Sequence, residues 1–171
     1  MDTTMDTKQY YTNQLLTTSI NIEPREIKGD INSLILYNIK KKYEGVCNKD
    51  GYIRKGSIKM IDRSVGEFKL IDNKSYAVFN ITYQADIISP SIGNEITCTI
   101  ESNNKMGLIG YIKYDKDDTL KDSPYIIIIP SELFESDAHE SIAVGDTMKV
   151  SIVNFRIKYM SQQIQMVAKP V

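Results

Sequence analysis

Tryptophan is absent from the 171 residues, histidine occurs once and cysteine twice. So few soft ligands leave no zinc spacing: Cys47 and Cys98 lie far apart and His139 stands alone. Two isolated cysteines also exclude a disulfide framework and read as reduced thiols of an intracellular protein. An excess of positive charge is lacking too, because the formal net charge is -1. That excludes nucleic-acid binding by bulk electrostatics, though not a local basic face. No apolar run is long enough to cross a bilayer. The acidic, polar opening Met1-Asp2-Thr3-Thr4-Met5-Asp6 does not read as a secretory signal.

Catalytic signatures are missing as well. The chain has no phosphate-cradling glycine loop and no nucleophile elbow. His139 lies in the polar stretch 135–141 and reads as a surface residue. Asp115-Lys116-Asp117-Asp118 resembles the start of a calcium loop but lacks the turn glycine, and Ile126 stands where the bidentate glutamate belongs. A solvated hairpin loop accounts for it. Asn80-Ile81-Thr82 is formally a glycosylation sequon, but it falls inside a predicted strand. The expectation is therefore no enzyme, no cofactor and no metal.

What is present is β-branched alternation. Residues 1–12 lack periodicity and are expected to be a flexible tail. Leu15–Ile22 reads as a strand, and Pro24 opens a helical turn. Asp30 is a good N-cap for a helix through Lys42, with an apolar stripe of Ile27, Ile31, Leu34, Ile35 and Ile39. Lys40, Lys41 and Lys42 suit the negative end of the helix dipole, which explains them without a ligand. Ala77, Phe79, Ile81, Tyr83, Ala85 and Ile87 alternate with polar positions and define one face of a long strand, set against the helix. Turn signals stand at 48–51 and 71–74. Residues 13–90 are thus expected to form a compact α+β domain.

After Ser89-Pro90-Ser91-Ile92-Gly93 the pattern changes. Residues 91–171 read as five strands, the third being the continuous apolar run Tyr125–Ile129 of a fully buried strand. A short helical turn capped by Ser131 follows it. Strands four and five present Met148, Val150 and Ile152, then Ile164, Met166 and Ala168. This is the layout of an all-β, five-stranded OB-fold barrel. Lys105, Tyr111, Lys113 and Tyr114 fall on its second strand and the flanking loops. Arg156, Lys158 and Tyr159 fall at the turn between strands four and five. OB-folds bind single strands with such basic and aromatic groups, so these seven are the candidate RNA contacts. Half-buried tyrosines and solubilising lysines are the competing account.

The order of motifs resembles the larger subunit of the RNA polymerase stalk, the family of subunit seven of RNA polymerase II and its archaeal and viral relatives. The resemblance rests on the strand–Pro–helix opening, Tyr43-Glu44-Gly45-Val46-Cys47, Gly51-Tyr52-Ile53 and the strand ending Phe79-Asn80-Ile81-Thr82-Tyr83-Gln84-Ala85. Gly93 and Pro130-Ser131-Glu132-Leu133 extend it into the second segment. It runs from about Leu15 to Val171. It implies a tip domain of helix on antiparallel sheet, then an OB domain. It also implies a non-catalytic subunit that docks on the large polymerase subunits near the clamp, through Gly51, Tyr52 and Ile53. The OB domain would contact nascent single-stranded RNA, and a smaller stalk subunit is a further expected partner. The setting would be the nucleus for a cellular enzyme, or the virion or host cytoplasm for a viral one. Heavy use of Ile, Lys, Asn and Tyr matches the AT-rich genomes of many large DNA viruses. A free-standing OB-fold RNA-binding or translation-associated protein is the alternative; it would leave residues 13–90 unexplained.

Overall fold

The computed structural model describes residues 11–171. The tail expected over residues 1–12 falls almost entirely outside them, and Thr12 already begins a strand. The chain separates into two units. One comprises Thr12–Gly45 and Ile53–Ile87; the other takes Tyr11, Val46–Tyr52 and Ile88–Val171. The units are therefore not contiguous in sequence, whereas the sequence suggests a single division after residue 90.

The first unit is built on one long strand. β1 (Thr12–Ile22) runs antiparallel along its whole length to β5 (Lys74–Ile88). β2 (Tyr52–Ile53), β3 (Lys59–Arg63) and β4 (Glu67–Ile71) also pair with β5. A two-residue turn at Asp72-Asn73, with φ of 50° and 64°, joins β4 to β5. Positive φ at both positions matches the right-handed twist of a hairpin, and Asp and Asn tolerate it.

Helix α1 (Ile31–Tyr43) starts where the Asp30 side chain accepts from the Asn32 backbone N–H at 3.0 Å. The Ser33 hydroxyl also donates to it at 2.8 Å. Those two hydrogen bonds, the Ser33 one foremost, hold the Asp30 carboxyl below its ordinary pKa of 3.8. Ile35 and Ile39 of α1 are fully buried in one cluster with Ile22, Phe79, Ile81 and Tyr83. Each such side chain contributes roughly 2 kcal/mol, so packing rather than helix propensity holds α1 in place. Tyr43 stacks on Tyr83 with ring centroids 5.9 Å apart, and its hydroxyl lies 2.7 Å from Thr18 Oγ1. Ile27 precedes the helix and is exposed, so it leaves the expected stripe.

The second unit is a closed barrel of β6 (Glu95–Asn104), β7 (Gly107–Tyr111), β8 (Tyr125–Pro130), β9 (Thr147–Arg156) and β10 (Ile164–Pro170). Around the wall the order is β10-β8-β7-β6-β9, with β8 and β10 parallel and the other neighbours antiparallel. Five strands in this order, closed on themselves, are consistent with an OB-fold. Cys98, Leu108, Ile127, Ile129, Val150 and Ile164 fill the interior. Closure of the β7–β8 seam depends on Gly107, whose φ is +139°. A Cβ there would sit 2.2 Å from the Ile129 carbonyl oxygen.

Three expectations are corrected here. β8 is not fully buried: Ile128 is exposed while Ile127 and Ile129 are inside, because a barrel wall has an outer face. Ser131 does not cap the turn after β8 with its side chain. It is the first residue of that turn, and its carbonyl accepts from the Phe134 N–H. His139 is buried rather than at the surface, its ring centroid 5.7 Å from that of Phe134. Asn103 Nδ2 ties its loop down by donating to the His139 and Ile142 carbonyls at 2.9 and 2.8 Å.

Candidate nucleic-acid interface

The segment expected to dock comes first. Asn48-Lys49-Asp50-Gly51 is a turn in which Asn48 Oδ1 accepts from the N–H groups of Asp50 and Gly51, at 2.8 and 2.9 Å. Cys47 then pairs with Tyr52 across a β-bridge. The Cys47 N–H donates to the Ser161 carbonyl, and the Cys47 carbonyl accepts from the Met160 N–H, both at 2.8 Å. These bonds seat Cys47 and Tyr52 in the barrel core. Burial, then the neighbouring Tyr11, Cys47 and Asp122, push the Tyr52 hydroxyl up to about 12. Gly51 is buried, and Tyr52 and Ile53 are 5% and 0% exposed. An anchor must present its surface to a partner, and Gly51, Tyr52 and Ile53, the residues expected to dock, lie buried within this chain. Their apolar surface is already covered by this chain.

The first unit has a different exposed apolar patch. Phe68 and Leu70 of β4 are 72% and 75% exposed, and Val65 and Ile61 are exposed beside them in sequence. Phe68 stands opposite Ala77, and Leu70 opposite Ser75. Directly opposed residues of an antiparallel pair share a face. Phe68 therefore prolongs the apolar face that buries Ala77 and Phe79, where nothing in the unit covers it. Gly66 leaves room for the Phe79 ring: a Cβ there would lie 2.7 Å from it. Arg63 lies over the same ring at 5.7 Å and donates from Nε to Asn32 Oδ1 at 2.5 Å.

On the barrel, the seven candidate RNA contacts separate. Tyr111 is buried, so it offers no ring face to a base. The Lys113 ammonium lies 5.8 Å from its ring centroid. Tyr114 is half-buried, its ring 6.0 Å from Tyr11. Lys105 is exposed at the β6–β7 turn. In the following loop the Asp118 carboxylate accepts from the N–H groups of Tyr114 and Asp115, at 2.9 and 3.0 Å.

Arg156 and Lys158 do converge. They line a cavity of about 150 Å³ with Ser161, Gln163 and Gln165, and Tyr159 is exposed in the same turn. Gln163 Nε2 braces that turn by donating to the Ser123 carbonyl at 3.1 Å and to the Leu120 carbonyl. Arg156 and Gln165 also line an adjoining open depression of about 180 Å³, floored by Ile128 and Val167 and rimmed by Asn154. Sequence reasoning missed Asn154, Gln165 and the aliphatic floor. Alternation could have placed them on the outer face, but a register shift at Val167/Ala168 breaks the count.

No family model matches the chain. A search of curated proteins finds a relative in Acanthamoeba polyphaga mimivirus, described as "Putative DNA-directed RNA polymerase subunit L376". The two are 24% identical over 178 aligned residues, covering 96% of this chain and 84% of the relative.

Proposed function

We propose that this chain is a non-catalytic stalk subunit of a multisubunit DNA-directed RNA polymerase of a large DNA virus. The observation that carries this reading is the extent of the similarity. It runs through 96% of the chain, both units included, to a protein named as a polymerase subunit. A shared barrel alone would leave the first unit unmatched.

Two features support the division of labour. The first unit, in the role of a tip domain, docks on the large core subunits through Phe68, Leu70, Val65 and Ile61. Phe68 and Leu70 share one face of β4, and exposed apolar side chains side by side are unfavourable in water and mark protein interfaces. The barrel, in the role of an OB domain, contacts the emerging transcript through a local cationic face, since a net charge of -1 gives no long-range attraction. A smaller stalk subunit is a further partner in this reading, and the setting is the host cytoplasm or the virion.

Affinity purification of the tagged chain from the infected cells that make it tests the proposal. Recovery of the largest polymerase subunits in constant ratio to the chain is expected. Recovery of RNA or ribosomal proteins with no polymerase would favour a free-standing RNA-binding protein instead.

A further inference from the structure

We infer that the outer face of β8, β10 and β9 holds a subsite for one nucleotide of single-stranded RNA. In it the base lies on Ile128 and Val167, and the phosphates meet Arg156 and Lys158. The inference rests on the RNA contact proposed above and confines it to Arg156 and Lys158, without Lys105, Tyr111, Lys113 and Tyr114.

Register builds the site. Ile128 pairs with Val167, and Val167 with Asn154, so these three form one row across neighbouring strands. Ile126 pairs with Gln165, and Gln165 with Arg156, which gives the row beside it. Their alternates Ile127 and Met166 are buried, and Phe155, which pairs with Met166, packs partly buried against the core, so both rows face outward. An aliphatic floor is thereby flanked by two primary amides and a guanidinium. The floor covers a base's apolar face, the amides of Asn154 and Gln165 can meet its edge, and the guanidinium takes a phosphate. The Asn154 Oδ1 accepts from the Phe155 N–H at 2.8 Å, which leaves its Nδ2 donors for the base. The depression of about 180 Å³ has room for a nucleobase. Its neighbour of about 150 Å³ continues past Lys158, as a backbone running to the next nucleotide requires.

Charge selects this face over the others. Residues 147–171 contain Lys149, Arg156, Lys158 and Lys169 and no acidic residue. Lys149 is paired with Glu95 at 2.6 Å, so the cationic character falls on the rest. The loop between β8 and β9 is the reverse, carrying Glu132, Glu135, Asp137, Glu140 and Asp146 with no lysine or arginine. The loop after β7 carries Asp115, Asp117, Asp118 and Asp122 around its lysines. A polyanion is repelled from both loops and attracted to the β9–β10 turn.

The test uses the full chain and a decauridylate probe carrying photoreactive 4-thiouridine. Adducts are expected on peptides spanning residues 154–167. Arg156→Ala with Lys158→Ala should weaken binding at least tenfold. It should also reduce the log–log salt slope by about 1.4, the value for two phosphate contacts on a single strand. Asn154→Ala with Gln165→Ala should change the ratio of affinities for decauridylate and decaadenylate while leaving the salt slope alone. All four residues are exposed, so unchanged melting is the control. Adducts confined to residues 105–114, insensitive to the Arg156/Lys158 pair, would overturn this subsite and leave the RNA contact standing. No adduct and no titratable binding would overturn both. Loss of polymerase association in the Arg156/Lys158 variant, with RNA adducts intact, would make this a protein-binding face and overturn the inference.

Discussion

Phe68 stands directly opposite Ala77 in the ladder between β4 and β5, yet Phe68 is 72% exposed and Ala77 only 3%. One face of one sheet thus passes from closed core to open apolar surface within a pair of neighbours. The core half is covered by α1; the open half is where a partner would gain most by covering it.

Replacing Phe68 and Leu70 by serine should therefore uncouple docking from folding. Neither side chain is buried in the chain itself, so the melting temperature should hold. Truncating an interface anchor costs about 2 kcal/mol or more, which is roughly 30-fold in affinity for the polymerase. Tyr52→Ala should do the opposite: it empties a core position and should cost about 3 kcal/mol of stability before any effect on association. Denaturant unfolding of each variant beside a quantitative pull-down separates the two.

Gly107→Ala should open the seam between β7 and β8. The added methyl would meet the Ile129 carbonyl oxygen at 2.2 Å and the Pro130 Cα at 2.9 Å, and those atoms belong to backbone that can yield only by moving the strand. A cost of about 3 kcal/mol is expected. Amide exchange in β8 should accelerate well beyond that in β1 and β5. Gly29→Ala provides a milder comparison: it shares the positive φ, at 73°, but meets nothing within 4 Å.

Stability should decline at alkaline pH. Burial pushes the Cys98 thiol from its ordinary 9.0 up to about 11 and the Tyr52 hydroxyl from 10.0 to about 12. The folded form then holds protons that the unfolded form has released. Their contribution is complete below pH 9 and is lost progressively as pH rises toward 12. Urea midpoints across this range should fall, and Cys98→Ala should flatten the part between 9 and 11. The Asp30 carboxyl works in the other direction: its lowered value means its contribution is present above 3.8 and fades as pH drops below it.

Local features of the fold were readable from sequence. Asp30 caps α1 through its own neighbours, the Asp72-Asn73 turn is set by two residues, and β5 shows its buried face by simple alternation. Tyr52 was misread because its burial depends on Cys47 bonding to Met160 and Ser161, residues more than a hundred positions away. A glycine-flanked Tyr-Ile pair looks the same whether a partner or the chain's own barrel covers it. Phe68 was missed for the converse reason: its alternation with Glu67 and Lys69 reads as an ordinary half-buried strand, and only the limited reach of α1 leaves it bare. Of the face proposed for RNA, the Arg156–Lys158 group is visible in the sequence as a basic turn. Asn154 and Gln165 are not, because two uncharged amides gain meaning only beside the Ile128–Val167 floor.

The most direct measurement is to purify the polymerase through its largest subunit from infected cells and quantify this chain in the sedimenting complex. Cells carrying the wild-type chain are compared with cells carrying the Phe68→Ser, Leu70→Ser variant. The wild-type chain should sediment with the enzyme in fixed ratio to the largest subunit, and the variant should be depleted while the remaining subunits stay assembled. A polymerase that sediments complete without the wild-type chain would contradict the account.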